Sequence, residues 1–331
     1  MQPVFEAWSM SKFQRTLCGL LLSFCTVAQA ASPLTQREIL MATLWVQRAA
    51  EFQYSTEQIY KTATSQLRAA LRPGTAAIEQ EKRGHYAKLP PAVILDIDET
   101  VLDNSAYEGW ALQQGAGYSE ENFRTWVRMK RAPEIPGAAA FTRAAEKLGI
   151  KVFYVTNRGC DKPATESTPA SCPEKTDTME NMALHGFARA SDPSAYLLLG
   201  EQPDWTSDKT SRRALLAKSY RIVMLLGDDL KDILPGETVN ALRRNGDHAA
   251  YKEYLARFGQ RWFILPNPVY GSWERALPAA VDARYALLRA APMAPLPAPA
   301  KIEATTGDKL YCATVEGKAN QAYCANLLAA P

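Results

Sequence analysis

Two aspartates separated by one residue, Asp96 and Asp98, directly follow a short apolar run at 92–95. Pro90 and Pro91 prevent a helix from continuing into this run, whose length and β-branched residues are typical of one strand of a covered sheet. Alternate residues of an extended chain point to the same side, so both carboxylates are expected to face one site. Their repulsion then requires a cation or a shared proton. The alternative is a polar turn with a helix cap.

A second group of acids follows the apolar run at 221–226. Asp228 and Asp232 are four residues apart, which is about one helical turn. They can therefore face one site from a strand end and the turn after it. Carboxylate oxygens with room for water suit Mg²⁺, so this pattern favours a magnesium site.

Two further segments place polar side chains at a strand end and at a helix start. The predicted strand at 151–155 runs into Thr156, Asn157 and Arg158, and Lys209 lies at the start of a predicted helix. An arginine at a strand end supplies a charge that can be directed at phosphate. A strand-end threonine alone carries little information, since threonine is an ordinary strand residue.

The stretch Asp96-Ile-Asp-Glu-Thr-Val-Leu-Asp-Asn-Ser105 resembles motif I of the haloacid dehalogenase superfamily. The form is that of class B and C acid phosphatases and of bacterial lipoprotein e(P4)-type 5′-nucleotidases. Thr156, Lys209 and the segment 227–232 match motifs II, III and IV in the same order. The segment Leu-Pro-Asn-Pro-Val-Tyr-Gly-Ser-Trp at 265–273 resembles the one that follows the last core strand in those nucleotidases. The resemblance spans about residues 89–277.

The resemblance implies an α/β fold, a Rossmann-like parallel sheet covered by helices with a small helical cap. It also implies a Mg²⁺-dependent acid phosphatase or 5′-nucleotidase in which Asp96 attacks phosphorus and Asp98 serves as general acid and base. Thr156 and Lys209 would hold the phosphoryl oxygens, with Arg212 and Arg213 as alternatives to Lys209. The implied metal ligands are Asp96, the carbonyl of Asp98, Asp228 and Asp232. Asp229 stands where the nucleotidases commonly have asparagine, which leaves open which carboxylates contact the metal.

Substrate choice is expected to depend on aromatic side chains. By resemblance, Tyr118 and Trp126 of the insertion and Tyr270 of the last segment would stack on a nucleoside monophosphate, although core packing is the alternative for each. Asn157 and Arg158 complete the expected substrate contacts. Phosphate transfer to an acceptor alcohol and broad phosphomonoesterase activity remain alternatives. An inactive storage or ligand-binding relative is a further alternative, against which the presence of Asp96 argues.

Residues 1–30 are typical of a secretory signal. Lys12 and Arg15 precede an apolar segment that ends at a small-x-small site, Ala28-Gln-Ala30, and Met10 could be the true start. The apolar segment is shorter than a membrane span, and Phe24 before Cys25 is unsuited to lipid attachment. We therefore expect a periplasmic or secreted protein without a stable membrane anchor.

The four cysteines outside this signal form two local pairs. We expect disulfides between Cys160 and Cys172 and between Cys312 and Cys324, because closing a short loop has the smallest entropic cost. A zinc site is the alternative, although the spacing differs from that of a zinc knuckle and no histidine flanks the pairs.

The charge balance limits the binding partners that we expect. The formal net charge is +3, and positive and negative residues are interspersed, so no nucleic-acid polymer is implied as a partner. The expected partner is a small phosphate monoester, and a homodimer is left open.

The chain is expected to contain several segments. We expect a helical segment at 31–75, a phosphatase core at 76–290 with a cap insertion around 104–135, a Pro/Ala-rich linker at 291–300 and a tail at 301–331 without an assigned function. Three histidines outside the motifs are expected to be structural: His85, His185 and His248.

Overall fold

Five parallel strands form one sheet in the part of the chain that the structure describes. The computed structural model describes residues 33–78, 85–245, 252–278 and 283–284. The strands are β1 Pro91–Leu95, β2 Lys151–Gly159, β3 Tyr196–Leu199, β4 Arg221–Gly227 and β5 Trp262–Ile264. Their order is β3-β2-β1-β4-β5, and each neighbouring pair runs parallel. The predicted Rossmann-like sheet is confirmed.

The residues of β1 explain why the sheet is covered on both faces. Val93 and Leu95 pack into one apolar cluster, whereas Ala92 and Ile94 pack into another. Side chains alternate between the two faces of a strand, so a run that is apolar at every position needs cover on both sides. The unbroken apolar run before Asp96 therefore places that residue at the edge of a buried sheet.

Helices supply this cover and also form the insertion after β1. Their bounds are α1 Pro33–Arg48, α2 Ala50–Ala70, α3 Ser105–Gln113, α4 Glu120–Met129, α5 Ala138–Lys147, α6 Pro173–Leu184, α7 Thr210–Ser219, α8 Gly236–Asn245 and α9 Lys252–Leu255. Helices α3 and α4 lie within the expected cap region. Ser119 caps α4 by accepting a hydrogen bond from the N–H of Asn122, and Lys130 ends it in a left-handed conformation.

The two N-terminal helices contact both the start of the cap and the core. The amide of Gln47 in α1 donates a 2.8 Å hydrogen bond to the carbonyl of Ser105, where the cap begins. In α2, the ring of Tyr60 lies 5.8 Å from that of Phe141 in α5. A Cβ at Gly137 would lie 2.9 Å from the Cβ of Tyr60, so glycine permits this close approach.

The predicted disulfide between Cys160 and Cys172 is present. It joins the end of β2 to the residue before α6. The predicted pair Cys312–Cys324, the signal at 1–30, the linker, the tail and His248 lie outside the described residues. No helix among the described residues is both long enough and apolar enough to cross a membrane.

Candidate active site

The three central strands bring the predicted catalytic residues to one edge of the sheet. Strand β1 lies between β2 and β4, and all three end at the same edge. Asp96 and Asp98 follow β1, Thr156 lies in the last part of β2, and Asp228 follows β4. The polar groups that were predicted to end separate strands therefore converge.

Asp96, Asp228 and Asp232 form an acidic cluster. Each offers one carboxylate oxygen, and these oxygens lie within 4.8 Å of one another. Gly227 leaves room for the carboxylate of Asp232, because a Cβ at that glycine would lie 2.3 Å from a carboxylate oxygen of Asp232. The first position of the motif IV segment 227–232 therefore requires a glycine.

The ammonium of Lys209 lies between two of these acids. Its Nζ is 2.6 Å from Oδ1 of Asp232 and donates a hydrogen bond to Oδ1 of Asp96. Lys209 is buried directly before α7, the helix-start position expected from the sequence. The alternatives Arg212 and Arg213 instead donate to backbone carbonyls, among them those of Thr156 and Asp232.

The charges of the cluster fit a divalent metal. Burial raises the pKa of both Asp96 and Asp228, and repulsion from Asp232 raises each further, while Lys209 acts in the opposite direction. The three carboxylates outnumber the single ammonium, so a divalent cation would restore the balance. Hard oxygen donors of this kind suit Mg²⁺ or a similar ion.

Asp228 is held by two residues from other segments. Oδ1 accepts a 3.1 Å hydrogen bond from the hydroxyl of Thr100, and Oδ2 accepts one of 2.9 Å from the amide of Asn267. Asn267 was not predicted as a site residue, although its Leu-Pro-Asn segment was recognised. The asparagine of that segment was the available signal.

Asp229 contacts a different part of the chain from Asp228. Its carboxylate accepts hydrogen bonds from the N–H of Lys231, at 2.9 Å, and from the N–H of Ser272, at 2.5 Å. Arg243 lies 3.7 Å away. Burial alone would raise the pKa of Asp229, but these hydrogen bonds outweigh it and lower the pKa. Asp232, not Asp229, shares the acidic cluster.

Asp98 is bound by a buried arginine. The Nε and Nη2 groups of Arg158 donate to its Oδ1 at 3.0 and 2.9 Å, and the amide of Asn104 donates to the same oxygen at 2.8 Å. The third guanidinium nitrogen of Arg158, Nη1, donates to the hydroxyl of Thr178. Arg158 was expected to contact substrate, and the structure places it against Asp98.

The remaining polar residues of β2 differ in exposure. Thr156 is fully buried, and its hydroxyl accepts a 3.0 Å hydrogen bond from the N–H of Arg158. Asn157 is exposed, and its amide donates to the carbonyl of Ser207 while accepting from Arg212. Asn157 therefore lies at the surface next to the buried residues of the site.

A cavity of about 200 Å³ opens beside Arg158, between α4 and the ends of β2 and β3. Tyr118, which is 70% exposed, and Phe123 line it. Trp126 instead donates its indole N–H to the carbonyl oxygen of the Asn104 side chain at 2.8 Å. Tyr270 is half-buried and packs against the apolar core.

The three predicted aromatic residues therefore do not form one visible stack. Among the ring contacts within the described ranges, Tyr118 pairs with Tyr107 and Phe123, and none joins it to Trp126 or Tyr270. Phe123 was not predicted as a site residue. Its place in the aromatic-rich insertion was the available signal.

Comparison with known proteins identifies the family. Residues 23–273 match the family described as HAD superfamily, subfamily IIIB (Acid phosphatase). The solved class C acid phosphatase from Bacillus anthracis is 30% identical, with a TM-score of 0.63, and the match covers 78% of this chain and 99% of that one. The tungstate-bound structure of that protein is 29% identical, with a TM-score of 0.62 and the same two coverages.

Curated plant proteins match a shorter stretch. A stem 31 kDa glycoprotein from Glycine max is 27% identical over 181 residues, and acid phosphatase 1 from Solanum lycopersicum is 28% identical over 181 residues. Each match covers 54% of this chain, and it covers 58% and 57% of the two relatives. The chain thus spans little more than half the length of these relatives.

The family match includes the acidic cluster, the Lys209 contact and the parallel sheet that positions them. The match to the solved phosphatase covers nearly all of that protein. The chain therefore belongs to subfamily IIIB of the haloacid dehalogenase superfamily, the acid phosphatases.

Proposed function

We propose that the protein hydrolyses phosphate monoesters through an aspartyl-phosphate on Asp96. The observation that carries this proposal is the contact of Asp96 with Lys209 inside the buried acidic cluster. Lys209 donates a hydrogen bond to Oδ1 of Asp96, while Oδ2 accepts no hydrogen bond from the described residues. One carboxylate oxygen is thus oriented by a cation, and the other is available for attack on phosphorus.

The proposed bond changes give the two motif I aspartates the roles that the family resemblance implies. In the first step, an oxygen of Asp96 bonds to phosphorus while the bond from phosphorus to the ester oxygen breaks. Asp98 gives its proton to that oxygen, which leaves as an alcohol. In the second step, Asp98 takes a proton from water, whose oxygen bonds to phosphorus and releases Asp96 and inorganic phosphate. Thr156 and Lys209 would hold the phosphoryl oxygens.

We propose Mg²⁺ as the metal, with Asp96, Asp228 and Asp232 as the residues that would hold it, together with the Asp98 carbonyl. The excess of carboxylates over ammonium groups in this cluster supports a divalent ion. When bound, Mg²⁺ would offset the charges of the nucleophile and the phosphoryl group. Thr100 and Asn267 would keep Asp228 oriented toward it.

Nucleoside monophosphates are the proposed substrates. The cavity beside Arg158 has about 200 Å³ and two aromatic lining residues, Tyr118 and Phe123. A cavity of about 150 Å³ can hold benzene, so this one is large enough for a single flat ring. Tyr270 remains a proposed second contact, from the segment after β5.

The alternative functions differ in the molecule that accepts the phosphoryl group and in the range of substrates. An alcohol in place of water would make the protein a phosphotransferase, and weak contacts beyond the ester oxygen would make it a broad phosphomonoesterase. An inactive storage or ligand-binding role would conflict with the presence of Asp96 and Lys209 in contact. Export to the periplasm or medium is supported by the signal-like residues 1–30 and the Cys160–Cys172 disulfide.

A substrate panel tests this function. Purified protein with Mg²⁺ is incubated with nucleoside monophosphates, sugar phosphates, aryl phosphates and small alkyl phosphates, and released phosphate is measured at several pH values. We expect phosphate release from all classes, with the highest kcat/KM for nucleoside monophosphates. Adding glycerol as an acceptor separates hydrolysis from transfer, since transfer yields glycerol phosphate. No release from any monoester would overturn the proposal.

A further inference from the structure

We propose that Trp126 in the cap is a positioning residue for Asp98 and acts through the side chain of Asn104. This inference rests on the proposed function, because it concerns the proton that Asp98 gives to the leaving group. Two hydrogen bonds connect the three residues: Trp126 Nε1 donates to Asn104 Oδ1 at 2.8 Å, and Asn104 Nδ2 donates to Asp98 Oδ1 at 2.8 Å.

The indole sets the direction of the Asn104 amide. An indole N–H can donate but cannot accept, whereas an asparagine amide has a donor end and an acceptor end. With Trp126 on one side, the carbonyl oxygen of Asn104 must face the cap, and its NH₂ group must face Asp98. Asn104 is fully buried, so water cannot satisfy a reversed amide in the same way.

Glu99 reinforces the same direction. The NH₂ group of Asn104 also lies 3.3 Å from Oε2 of Glu99, and its backbone N–H donates to Oε1 at 2.8 Å. A reversed amide would turn its oxygen toward oxygens of both Asp98 and Glu99. That arrangement would lose the hydrogen bonds with Asp98, Glu99 and Trp126 and would add repulsion between oxygens.

The donors around Asp98 leave its two oxygens unequal. Oδ1 accepts from Asn104 and from two nitrogens of Arg158, while Oδ2 has a single contact, a 3.3 Å hydrogen bond from Nε of Arg158. Oδ1 is thus surrounded by donors, and Oδ2 is the oxygen that remains open toward a substrate. The contact between Trp126 and Asn104 keeps this assignment by holding one donor on Oδ1.

Trp126→Phe tests the inference because it keeps the ring but removes the N–H. Proton donation matters most for leaving groups that are poor without it, so the variant should lower kcat/KM for a small alkyl phosphate by about 10- to 100-fold. For p-nitrophenyl phosphate, whose phenolate leaves without a proton, we expect a loss of less than about threefold. kcat/KM reports the step that expels the leaving group, so slow hydrolysis of the phosphoenzyme does not obscure the comparison.

A matched control and a double-mutant cycle separate positioning from packing. Trp110 in α3 also belongs to the cap but is 43% exposed, and Trp110→Phe should leave the ratio of the two substrates unchanged. Asn104→Ala should reproduce the selective loss. If Trp126 acts through Asn104, the loss in the double variant should equal that of Asn104→Ala alone and not the sum of both losses.

The outcomes distinguish this inference from the proposed function. A wild-type protein that hydrolyses neither substrate overturns the proposed function, and this inference with it. An active wild type combined with equal losses on both substrates in Trp126→Phe, or with additive losses in the cycle, overturns the positioning role alone. If Trp126→Phe is unfolded at the assay temperature, Asn104→Ala is used in its place. Equal losses of kcat/KM on the two substrates in Asn104→Ala also contradict the inference.

Discussion

The hydroxyl of Tyr60 in α2 donates a 2.6 Å hydrogen bond to the carbonyl oxygen of Thr100, which follows β1. Both side chains are buried. The hydroxyl of Thr100 in turn donates to Asp228. Helix α2 therefore supports the loop that orients one of the acids of the cluster, although it is remote from that loop in sequence.

Tyr60→Phe should lower the free energy of unfolding by about 1–3 kcal/mol, because it leaves the buried carbonyl of Thr100 without its donor. It should also weaken Mg²⁺ binding, since the loop that holds Asp228 loses a support. Urea unfolding and calorimetric Mg²⁺ titration measure the two effects. Tyr54→Phe is the matched control, because Tyr54 lies on the same helix and is 73% exposed. Equal effects of both variants would contradict the role of the hydrogen bond.

Asp96→Asn should abolish turnover and leave the protein folded. An amide keeps the shape of the side chain and can still accept from Lys209, but it cannot form the phosphoenzyme. Phosphate release and circular dichroism measure the two properties. Activity within about tenfold of wild type would remove Asp96 from the nucleophile role.

Chelation should remove activity, and Mg²⁺ should restore it without any need for Zn²⁺. The acidic cluster offers carboxylate oxygens and no histidine or cysteine, which is the donor set of a hard ion. Activity is measured after EDTA treatment and dialysis, with each metal added back separately. Asp228→Asn is the companion variant and should need more Mg²⁺ for half-maximal activity. Full activity after exhaustive chelation would refute the metal assignment.

Asp192 should make stability depend on pH in acid. Hydrogen bonds from Ser194 and from Arg189 lower the pKa of Asp192 from its ordinary value of 3.8 to about 2. The folded state holds the proton of Asp192 less tightly than the unfolded state does. The charged Asp192 therefore stabilises the folded protein above pH 3.8, and this contribution is lost as the pH falls toward 2. The difference in the free energy of unfolding between wild type and Asp192→Asn should therefore be constant near neutral pH and should shrink between pH 3.8 and about 2. Urea unfolding at several pH values tests this, with the exposed Asp204→Asn as control; a difference that does not change with pH would count against it.

Tyr270→Ala should lower kcat/KM for a nucleoside monophosphate by about 10- to 100-fold and barely change that for a small alkyl phosphate. The expected loss corresponds to one aromatic stack, worth about 1–3 kcal/mol. Phe123→Ala is the companion variant, because Phe123 lines the cavity beside Arg158. Equal losses on both substrates, or a large fall in melting temperature for Tyr270→Ala, would show that Tyr270 supports the fold.

The sheet and the acidic cluster were predictable because each depends on a local pattern. An apolar run that ends in acid identifies β1 with Asp96 and β4 with Asp228, and parallel strands place these ends side by side. The glycine before Asp228 and the four-residue spacing to Asp232 were part of the same pattern. The disulfide between Cys160 and Cys172 likewise joins residues that are close in sequence.

The side-chain partners were harder to predict, because they depend on rotamers and on neighbouring strands. The sequence placed Arg158 at a strand end but could not show that its guanidinium crosses to Asp98. It placed Trp126 in an aromatic insertion, but it could not show that the indole N–H donates to the side chain of Asn104. Nothing in the local pattern of α2 indicated that Tyr60 reaches the loop after β1.

The hydrogen bond between Trp126 and Asn104 joins α4 of the insertion to the residue before α3, which also contacts Asp98, and it limits how the insertion can be changed. Insertions of this kind are the natural place to vary substrate choice, because they can change without disturbing the sheet. Here a recombined or transplanted insertion that lacked an N–H donor at the place of Trp126 would leave the Asn104 amide without its partner. Exchange of the insertion between relatives would then have to preserve one donor while everything around it varied. In this chain the insertion therefore both lines the cavity beside Arg158 and contacts Asp98 through Asn104.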